Sequence, residues 1–334
     1  MKQHVTTYSR LWLAIALVVL LALASCAPAG SAPSPLASPF VPVTATATAP
    51  PTIDPAHPVQ FVWKTQSGLR AVTGLGVDAQ GHIFACDFAT NTIHKFDANG
   101  QPLLQWGGTG HEAGQFAGAG GMSVDRDGNV WVADHDNDRI QKFDGAGTFL
   151  MQWGRSGSGP GQFMHPDVVA LDADDNIYVS EDANARVQKF DAQGRIILQF
   201  GEKGGGPGQF SDPTGLSVDA QGNLFVGDYS ATRIQKFDRS GAFILQWGRR
   251  GSGEGQFNGI SMLAMDAAGR LFATDYDGGR IQVFDGAGRF LAQWGTSGSG
   301  DGQFAKPWGI ALDAAGNIYV GEYSNGRIQK FRWR

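Results

Sequence analysis

The sequence predicts an all-β domain built from consecutive copies of one 47-residue unit, and three observations support this prediction. A phenylalanine recurs with a step of 47 residues, at Phe96, Phe143, Phe190, Phe237, Phe284 and Phe331. The tripeptide GQF recurs with the same step, ending at Phe116, Phe163, Phe210, Phe257 and Phe304. No segment of residues 59–334 shows the 3.6-residue apolar period of a helix. Self-similarity at this period is typical of repeat architectures. A residue present in every copy is therefore interpreted as architectural, and one that breaks the pattern as a candidate for function.

Residues 1–25 are predicted to be a signal peptide. Lys2 and Arg10 precede an uncharged apolar run over residues 11–24. This run is shorter than the roughly 20 residues that a membrane-spanning helix needs, but it suits a secretory leader. The run ends in the sequence LASC, which resembles the lipobox of bacterial lipoproteins and implies acylation of Cys26. The alternative is an ordinary cleavage site with an incidental cysteine.

Residues 26–58 are predicted to be a disordered linker that begins at the lipidated Cys26. Nine of the fifteen prolines lie between residues 27 and 58, among Ala, Ser and Thr. Such a composition buries too little apolar surface to offset chain entropy. A Pro-rich chain extends about 3.1 Å per residue, so the linker reaches up to roughly 100 Å from a bilayer. We therefore expect a bacterial cell-envelope protein that is extracytoplasmic and lipid-anchored to a membrane.

The charge and cysteine content of the repeat domain, residues 59–334, exclude several classes of partner. Without Lys2 and Arg10 of the leader, the chain has 24 basic and 31 acidic residues, a net charge of −7. Nucleic acids and anionic lipid headgroups both favour a basic surface, so neither is an expected partner.

Cys86 is the only cysteine after Cys26, and it aligns with small residues in the other copies, which predicts a buried side chain. We expect a monomeric domain without a cofactor.

Each repeat is predicted to form four short antiparallel strands. In the copy at residues 211–248, the segments GLSVD, NLFVGD, RIQKFD and AFILQWG are rich in β-branched and aromatic residues and are bounded by Gly, Asp or Asn. The first turn of each copy has a glycine where a positive φ is needed, except that Asp175 occupies this position in one copy.

Strands such as VWVA at residues 130–133 and IYVG at residues 318–321 are apolar on both faces, so neighbouring sheets must cover both sides. Radial packing of small sheets provides this cover. The last copy ends at Arg334 without its outer strand, whereas residues 59–64, VQFVWK, resemble a surplus outer strand before the first copy. Joining these two ends removes an exposed edge. The sequence therefore predicts a six-bladed β-propeller with four antiparallel strands per blade, whose last blade is closed by residues 59–64.

The repeat unit resembles the NHL repeat. Copies four and six both fit the pattern GQF-x-x-P-x-G-[IL]-[AS]-[LV]-D-x-x-GN-[IL]-[FY]-V-G-[DE]-x-x-x-x-RIQKF, and the resemblance covers the whole domain. The resemblance implies the six-bladed propeller fold. It leaves function open, because NHL domains include RNA-binding domains of ubiquitin ligases, sensor domains of bacterial kinases and the peptidylglycine-amidating lyase.

One end of the propeller, here called the top face, bears the loops that join strands two and three of each blade and those that join the blades. Strand two ends there in an acid, at Asp87, Asp134, Glu181, Asp228, Asp275 and Glu322. Strand three begins five residues later with Arg139, Arg186, Arg233, Arg280 and Arg327, but with Thr92 in the first copy. Because nearly every copy has this pair, we predict a structural ion pair.

The Gly-rich loops such as residues 153–163 lack the GK[ST] that follows in a phosphate-binding loop, and the turns at 125–129 and 172–176 lack the distal Glu of a calcium-binding loop. Both are likewise interpreted as structural.

Two positions that vary between copies are predicted to ring the top mouth of the central channel. The residue after the acid is Phe88, His135, Asp182, Tyr229, Tyr276 or Tyr323, and the residue near the start of strand one is Thr73, Gly120, Asp167, Thr214, Ser261 or Trp308. We name Tyr229, Tyr276, Tyr323 and Trp308 the aromatic arc. We name His135, His165, Asp167 and Asp182 the polar arc. Aromatic walls with convergent polar groups are typical of ligand sites. The candidate ligand-binding residues are therefore His135, Asp167, Asp182, Tyr229, Tyr276, Trp308 and Tyr323.

No catalytic residue is predicted. The amidating lyase has zinc-binding histidines at positions that correspond here to Asp167, Thr214 and Trp308, so the resemblance does not imply that chemistry. The sequence has no G-x-S-x-G motif, and its one cysteine after Cys26 is predicted to be buried. We expect a protein- or small-molecule-binding scaffold rather than an enzyme. The alternatives are a metal-assisted hydrolase or lyase that uses His135, His165, Asp167 and Asp182 as metal ligands, and a purely structural envelope protein.

Overall fold

The computed structural model describes residues 58–65 and 68–334. The predicted signal peptide, Cys26 and the predicted linker up to residue 57 lie outside the described residues. In the part of the chain that is described, 24 β-strands form six four-stranded antiparallel sheets. Over the same residues, we find no helix with the length and apolar character that a membrane crossing requires.

The strands follow the predicted repeat. The N-terminal strand is β1 (Val59–Lys64). Blade 1 contains β2 (Val72–Val77), β3 (Ile83–Asp87), β4 (Thr92–Phe96) and β5 (Pro102–Gly107). Blade 2 contains β6 (Ala119–Val124), β7 (Val130–Asp134), β8 (Arg139–Phe143) and β9 (Phe149–Trp153). Blade 3 contains β10 (Pro166–Leu171), β11 (Ile177–Glu181), β12 (Arg186–Phe190) and β13 (Ile196–Phe200).

The second half of the ring repeats this arrangement. Blade 4 contains β14 (Pro213–Val218), β15 (Leu224–Asp228), β16 (Arg233–Phe237) and β17 (Phe243–Trp247). Blade 5 contains β18 (Ile260–Met265), β19 (Arg270–Asp275), β20 (Arg280–Asp285) and β21 (Phe290–Trp294). Blade 6 contains β22 (Pro307–Leu312), β23 (Asn317–Glu322) and β24 (Arg327–Trp333), completed by β1.

The burial of each strand explains why the sheets pack face to face. All five residues of β15 are buried, whereas β17 alternates between exposed and half-buried residues, as an outer strand should. The core therefore lies between neighbouring blades. Between blades 4 and 5, for example, Phe225 and Ile234 form one cluster with Ile260 and Leu271. The phenylalanine of the GQF motif, Phe257 in this copy, is fully buried in the same cluster and anchors its loop.

The N-terminal strand closes the ring as predicted. β1 pairs with β24 in an antiparallel register that places Val59 opposite Trp333, with a bulge between Phe61 and Trp63. The rings of Phe61 and Phe331 lie 5.9 Å apart in an edge-to-face arrangement. The predicted six-bladed β-propeller is confirmed.

The acid–arginine pairs are structural, as predicted. The Nε of Arg186 lies 2.6 Å from Glu181, and both side chains are almost fully buried. The rest of the guanidinium donates to the backbone carbonyls of Ser158, Gly159 and Gln162 in the Gly-rich loop. Equivalent pairs join Arg139 to Asp134, Arg233 to Asp228, Arg280 to Asp275 and Arg327 to Glu322. Each arginine thus connects one hairpin to the loop that precedes its blade.

The turns at residues 125–129 and 172–176 have a structural role, as predicted. Asp125 accepts hydrogen bonds from the backbone amides of Asp127 and Asn129, so its carboxylate closes the hairpin turn. The turn residue Asp175 has a φ of 60°, close to the 82° of Gly222 in the next copy, which confirms the need for a left-handed residue there. Cys86 is fully buried, and burial raises the pKa of its thiol, so it is a packing residue.

Candidate functional site

A cavity of about 340 Å³ opens at the top mouth of the channel. It is lined by the N-terminal ends of the first strands and by the residues that follow the second strands. The lining residues are Thr73, Phe88, Gly120, His135, Asp167, Asp182, Asp212, Thr214, Tyr229, Tyr276, Trp308 and Tyr323. All seven candidate ligand-binding residues are among them. Of the predicted ring positions, only Ser261 is not a lining residue, because it is buried behind the wall.

The aromatic arc forms a continuous wall. The rings of Tyr276 and Trp308 meet edge to face, 5.1 Å apart at an angle of 86°. Tyr229 lies 6.3 Å from Trp308 in a stacked orientation, and Tyr323 lies 6.1 Å from it. Phe88 of blade 1 extends the wall, with its ring 6.5 Å from that of Tyr323. These contacts orient the rings against one another, so the wall is preformed.

The polar arc brings two imidazoles and a carboxylate together. The rings of His135 and His165 stack with centroids 4.5 Å apart. Asp182 lies between their nitrogens, 3.7 Å from Nε2 of His135 and 3.6 Å from Nδ1 of His165. His165 is half exposed and lies at the rim, outside the set of residues that line the cavity.

A short 3-10 turn determines the position of His135. Residues His135–Asn137 form a short 3-10 turn that the sequence did not predict, followed by Asp138 at a φ of 51°. The backbone amide of His135 donates to the carbonyl of Gly118, and its Nδ1 lies 2.7 Å from Asp136. The turn leaves Nε2 facing Asp182 across the cavity wall.

The surrounding carboxylates keep His135 protonated at neutral pH. Burial alone would lower its pKa, but the carboxylate of Asp182 at 3.7 Å, the hydrogen bond to Asp136 and the charge of Asp167 together outweigh that effect. The result is a pKa raised to about 9. His135 is therefore a cation within the cavity at physiological pH.

Asp167 is the least satisfied polar group in the cavity. Its Oδ2 atom is buried and has no hydrogen-bond partner. Burial raises the pKa of Asp167 to about 7. The negative charges of Asp182 and Asp212 add to this increase, whereas the positive charge of His135 opposes it. Three other blades have a hydroxyl at this position that donates to a backbone carbonyl of the next blade: Thr73 to Ala119 at 2.9 Å, Thr214 to Ile260 at 2.8 Å and Ser261 to Pro307 at 3.0 Å. Asp167 replaces this structural bond with a carboxylate directed to no protein group.

Sequence reasoning missed Asp212. This residue lines the cavity beside the polar arc, and burial together with the charges of Asp182 and Asp228 raises the pKa of its carboxyl. It occupies the position immediately before strand one, which also varies between copies and holds His165 in blade 3 and Lys306 in blade 6. Inspection of that third variable position would have identified it.

Three of the four predicted metal candidates come together. His135, His165 and Asp182 each offer one ligand atom, and these atoms lie within 4.8 Å of one another. Two imidazoles and a carboxylate form a donor set that suits zinc and other first-row divalent ions. The fourth candidate, Asp167, is not part of this group, although its charge still acts on His135.

The opposite end of the channel differs in chemistry. A cavity of about 260 Å³ there is lined by the distal parts of the six first strands, including Met122, Leu171 and Met265. None of its lining residues is titratable. Groups that can hold a charged ligand therefore lie at the top face rather than at this end.

The fold and the repeat signature define the class of this chain as a six-bladed β-propeller. Family models match it as "NHL repeat" at residues 116–143 and 304–331 and as "6-bladed beta-propeller" at residues 168–244. The chain is thus a six-bladed β-propeller that contains NHL repeats at the matched positions, as its sequence pattern predicted. No curated protein matches the sequence significantly.

Several solved structures share the fold. A gluconolactonase from Xanthomonas campestris superposes with a TM-score of 0.62 at 15% identity, over 83% of this chain and 95% of the other. A catalytically inactive virginiamycin B lyase from Staphylococcus aureus with quinupristin gives 0.60 at 15% identity, over 83% and 99%. A streptogramin B lyase gives 0.56 at 16% identity, over 79% of both chains. At such identities, the similarity demonstrates the fold alone.

Proposed function

We propose that this chain is a membrane-anchored, extracytoplasmic NHL-repeat lipoprotein whose propeller binds a ligand through the cavity of the top face. One observation carries this proposal: a preformed aromatic wall faces unsatisfied carboxylates across a cavity of about 340 Å³. This size lies within the usual range for small-molecule sites, which are mostly apolar with a few convergent polar groups. The residues that deviate from the repeat consensus converge there, whereas the repeated residues form hairpins, loops and core.

A thermal-shift screen tests the binding proposal. The full-length lipoprotein, in detergent micelles, is screened against cationic, neutral and anionic small molecules. A ligand present at 100 times its Kd adds about 2.7 kcal/mol to the free energy of unfolding. For a domain of this size, that corresponds to a rise in Tm of roughly 5–10 °C. We expect compounds that stabilise the wild type and fail to stabilise the double variant Trp308→Ala/Tyr276→Ala.

The matched control is Ile197→Ala, which removes a half-exposed side chain on an outer strand far from the cavity. This variant should respond to the same compounds as the wild type. Stabilisation that persists in the double variant would place the ligand elsewhere, and the absence of any stabilising compound would argue against a small-molecule site.

The membrane anchor is a separate part of the proposal, supported by the apolar leader and the LASC sequence that ends at Cys26. Cells fed an alkyne-labelled fatty acid should label the wild-type protein and retain it in the membrane fraction. Cys26→Ser should abolish the label and release the protein, because no acyl chain remains to bind the bilayer. Cys86→Ala is the matched control, since it removes the other cysteine and introduces the residue found at the equivalent Ala133. Labelling that survives Cys26→Ser would reject the anchor.

A metal-assisted hydrolase or lyase is the second candidate function, favoured by the proximity of the three donors His135, His165 and Asp182. A divalent ion on these residues would polarise a carbonyl or lower the pKa of a bound water beside the aromatic arc. Titration of the wild type and of His165→Ala with zinc or magnesium tests this second function. If it is correct, the wild type binds the metal ion stoichiometrically and His165→Ala does not.

A further inference from the structure

We propose that the ligand of the top cavity is an organic cation, a protonated or quaternary amine that places its charge between the cavity carboxylates and the aromatic arc. The inference rests on the proposed function, because it names the ligand class for the same cavity.

The charges that line the cavity favour a positive guest. Asp167, Asp182 and Asp212 contribute carboxyl groups, and His135 is the only titratable base among the twelve lining residues. None of those twelve is Lys or Arg. Lys306 is not a lining residue, and its ammonium group forms an ion pair with Asp277. Because screening is weak inside a partly buried cavity, this excess of carboxylates attracts cations and repels anions.

The carboxylates have unused hydrogen-bonding capacity. Oδ2 of Asp167 and Oδ1 of Asp182 are buried and have no hydrogen-bond partner, although the latter lies 3.6 Å from Nδ1 of His165. Asp212 accepts one side-chain hydrogen bond, from Ser230 at 3.1 Å. A buried carboxylate without partners is costly, and nearly all such groups in proteins are paired. An ammonium group in the cavity would satisfy these oxygens.

The opposite wall suits the same guest. Cations bind favourably over aromatic faces, and cages of several rings recognise quaternary ammonium groups. One ring of the arc already makes such a contact within the protein, because Nζ of Lys306 lies 4.6 Å from the centre of the Tyr276 ring. A neutral or anionic ligand would leave the carboxylates unpaired, and a bare metal ion held by the rim residue His165 would leave the aromatic wall without a role.

The first test compares two molecules of the same shape. Choline and its uncharged isostere 3,3-dimethylbutan-1-ol are titrated into the full-length protein in detergent micelles at pH 8, and binding is followed by calorimetry and tryptophan fluorescence. We expect saturable choline binding that is at least tenfold tighter than binding of the isostere. Equal affinities, or no binding of choline, would overturn the inference.

Variants then separate an organic cation from a metal ion. Asp167→Asn should weaken choline binding at least tenfold at pH 8, because it removes the carboxylate whose buried Oδ2 has no hydrogen-bond partner in the protein. His135→Gln keeps a polar side chain at this position, so choline binding should persist, whereas binding of a metal ligated by His135 would be lost. Asp127→Asn, which neutralises an exposed carboxylate on a hairpin turn, is the charge control and should change nothing.

The failure of this inference is distinguishable from the failure of the proposed function. If the thermal-shift screen yields only neutral or anionic ligands that depend on Trp308, the cavity remains a binding site and the cation assignment is wrong. Circular dichroism and unfolding curves of each variant confirm that lost binding does not reflect lost folding.

Discussion

Asp167→Thr is expected to stabilise the propeller by about 2 kcal/mol at pH 8 while it removes ligand binding. The wild-type carboxyl has a pKa of about 7 in the folded protein, well above its unfolded value near 3.8. A raised carboxyl pKa means that the folded state binds the proton more tightly, so ionisation opposes folding. This penalty is absent below about pH 4, grows as the pH rises and is complete above about pH 7.

The replacement also restores a bond that the repeat normally makes. Thr73 and Thr214 donate from the same position to a carbonyl of the next blade, and the corresponding acceptor for residue 167 is the carbonyl of Pro213. Part of the gain in stability is lost, because the negative charge of Asp167 also stabilises protonated His135. The raised pKa of His135 stabilises the folded state fully below about pH 6.5, and this contribution is lost as the pH rises through about 9. The net estimate of about 2 kcal/mol therefore lies below the full effect of a three-unit pKa shift, which is about 4 kcal/mol.

Urea unfolding of wild type and variant at pH 5 and pH 8 measures this effect. The difference should be larger at pH 8. Asp127→Thr, an exposed turn residue, should shift the free energy of unfolding by less than about 0.5 kcal/mol at either pH. A variant that is no more stable than the wild type at pH 8 would show that Asp167 is not strained by its environment. A ligand that pairs with the Asp167 carboxylate would then gain no advantage from its burial.

Arg186→Ala should destabilise the propeller by roughly 3–5 kcal/mol, the usual cost of breaking a buried ion pair by removing one partner. The variant leaves Glu181, which is fully buried, without its charged partner. It also removes the guanidinium donors to the carbonyls of Ser158 and Gln162, so the Gly-rich loop loses its connection to the hairpin. The midpoint of urea unfolding should fall, with the slope unchanged.

The matched control is Arg195→Ala. Arg195 also pairs with an acid, Asp191, at 2.6 Å, but its side chain is 77% exposed. An exposed pair contributes about 0–1 kcal/mol, so this variant should unfold close to the wild type. Similar effects from both variants would contradict the view that the repeated pairs stabilise the blades through burial.

The repeat period made most of the fold predictable. A constant step of 47 residues assigns each position of one copy to the same place in every blade, so four strands read in one copy define the strands of all six. Closure by residues 59–64 followed from the missing outer strand of the last copy, and the structure pairs them with β24. The same alignment separated the repeated Arg186–Glu181 type of pair from the variable ring of the mouth.

Side-chain directions within the ring were less predictable, because they depend on packing between blades rather than on position in the repeat. His165 was assigned to the mouth but lies at its rim, and Asp212, one residue before strand β14, turns into the cavity. The 3-10 turn at His135–Asn137 arises from local backbone hydrogen bonds that no repeat alignment contains. The missing partner of Asp167 Oδ2 likewise appears only when all neighbouring atoms are placed.

A crystal structure of the protein with the compound that most raises its Tm would test most directly whether the top cavity is the ligand site. We predict electron density between Trp308 and Asp167, with the positive group of the compound within about 4 Å of the carboxylates, as in an ion pair. Density for the compound at the opposite cavity near Met122 or on the outer strands, with only water at the top mouth, would contradict this account.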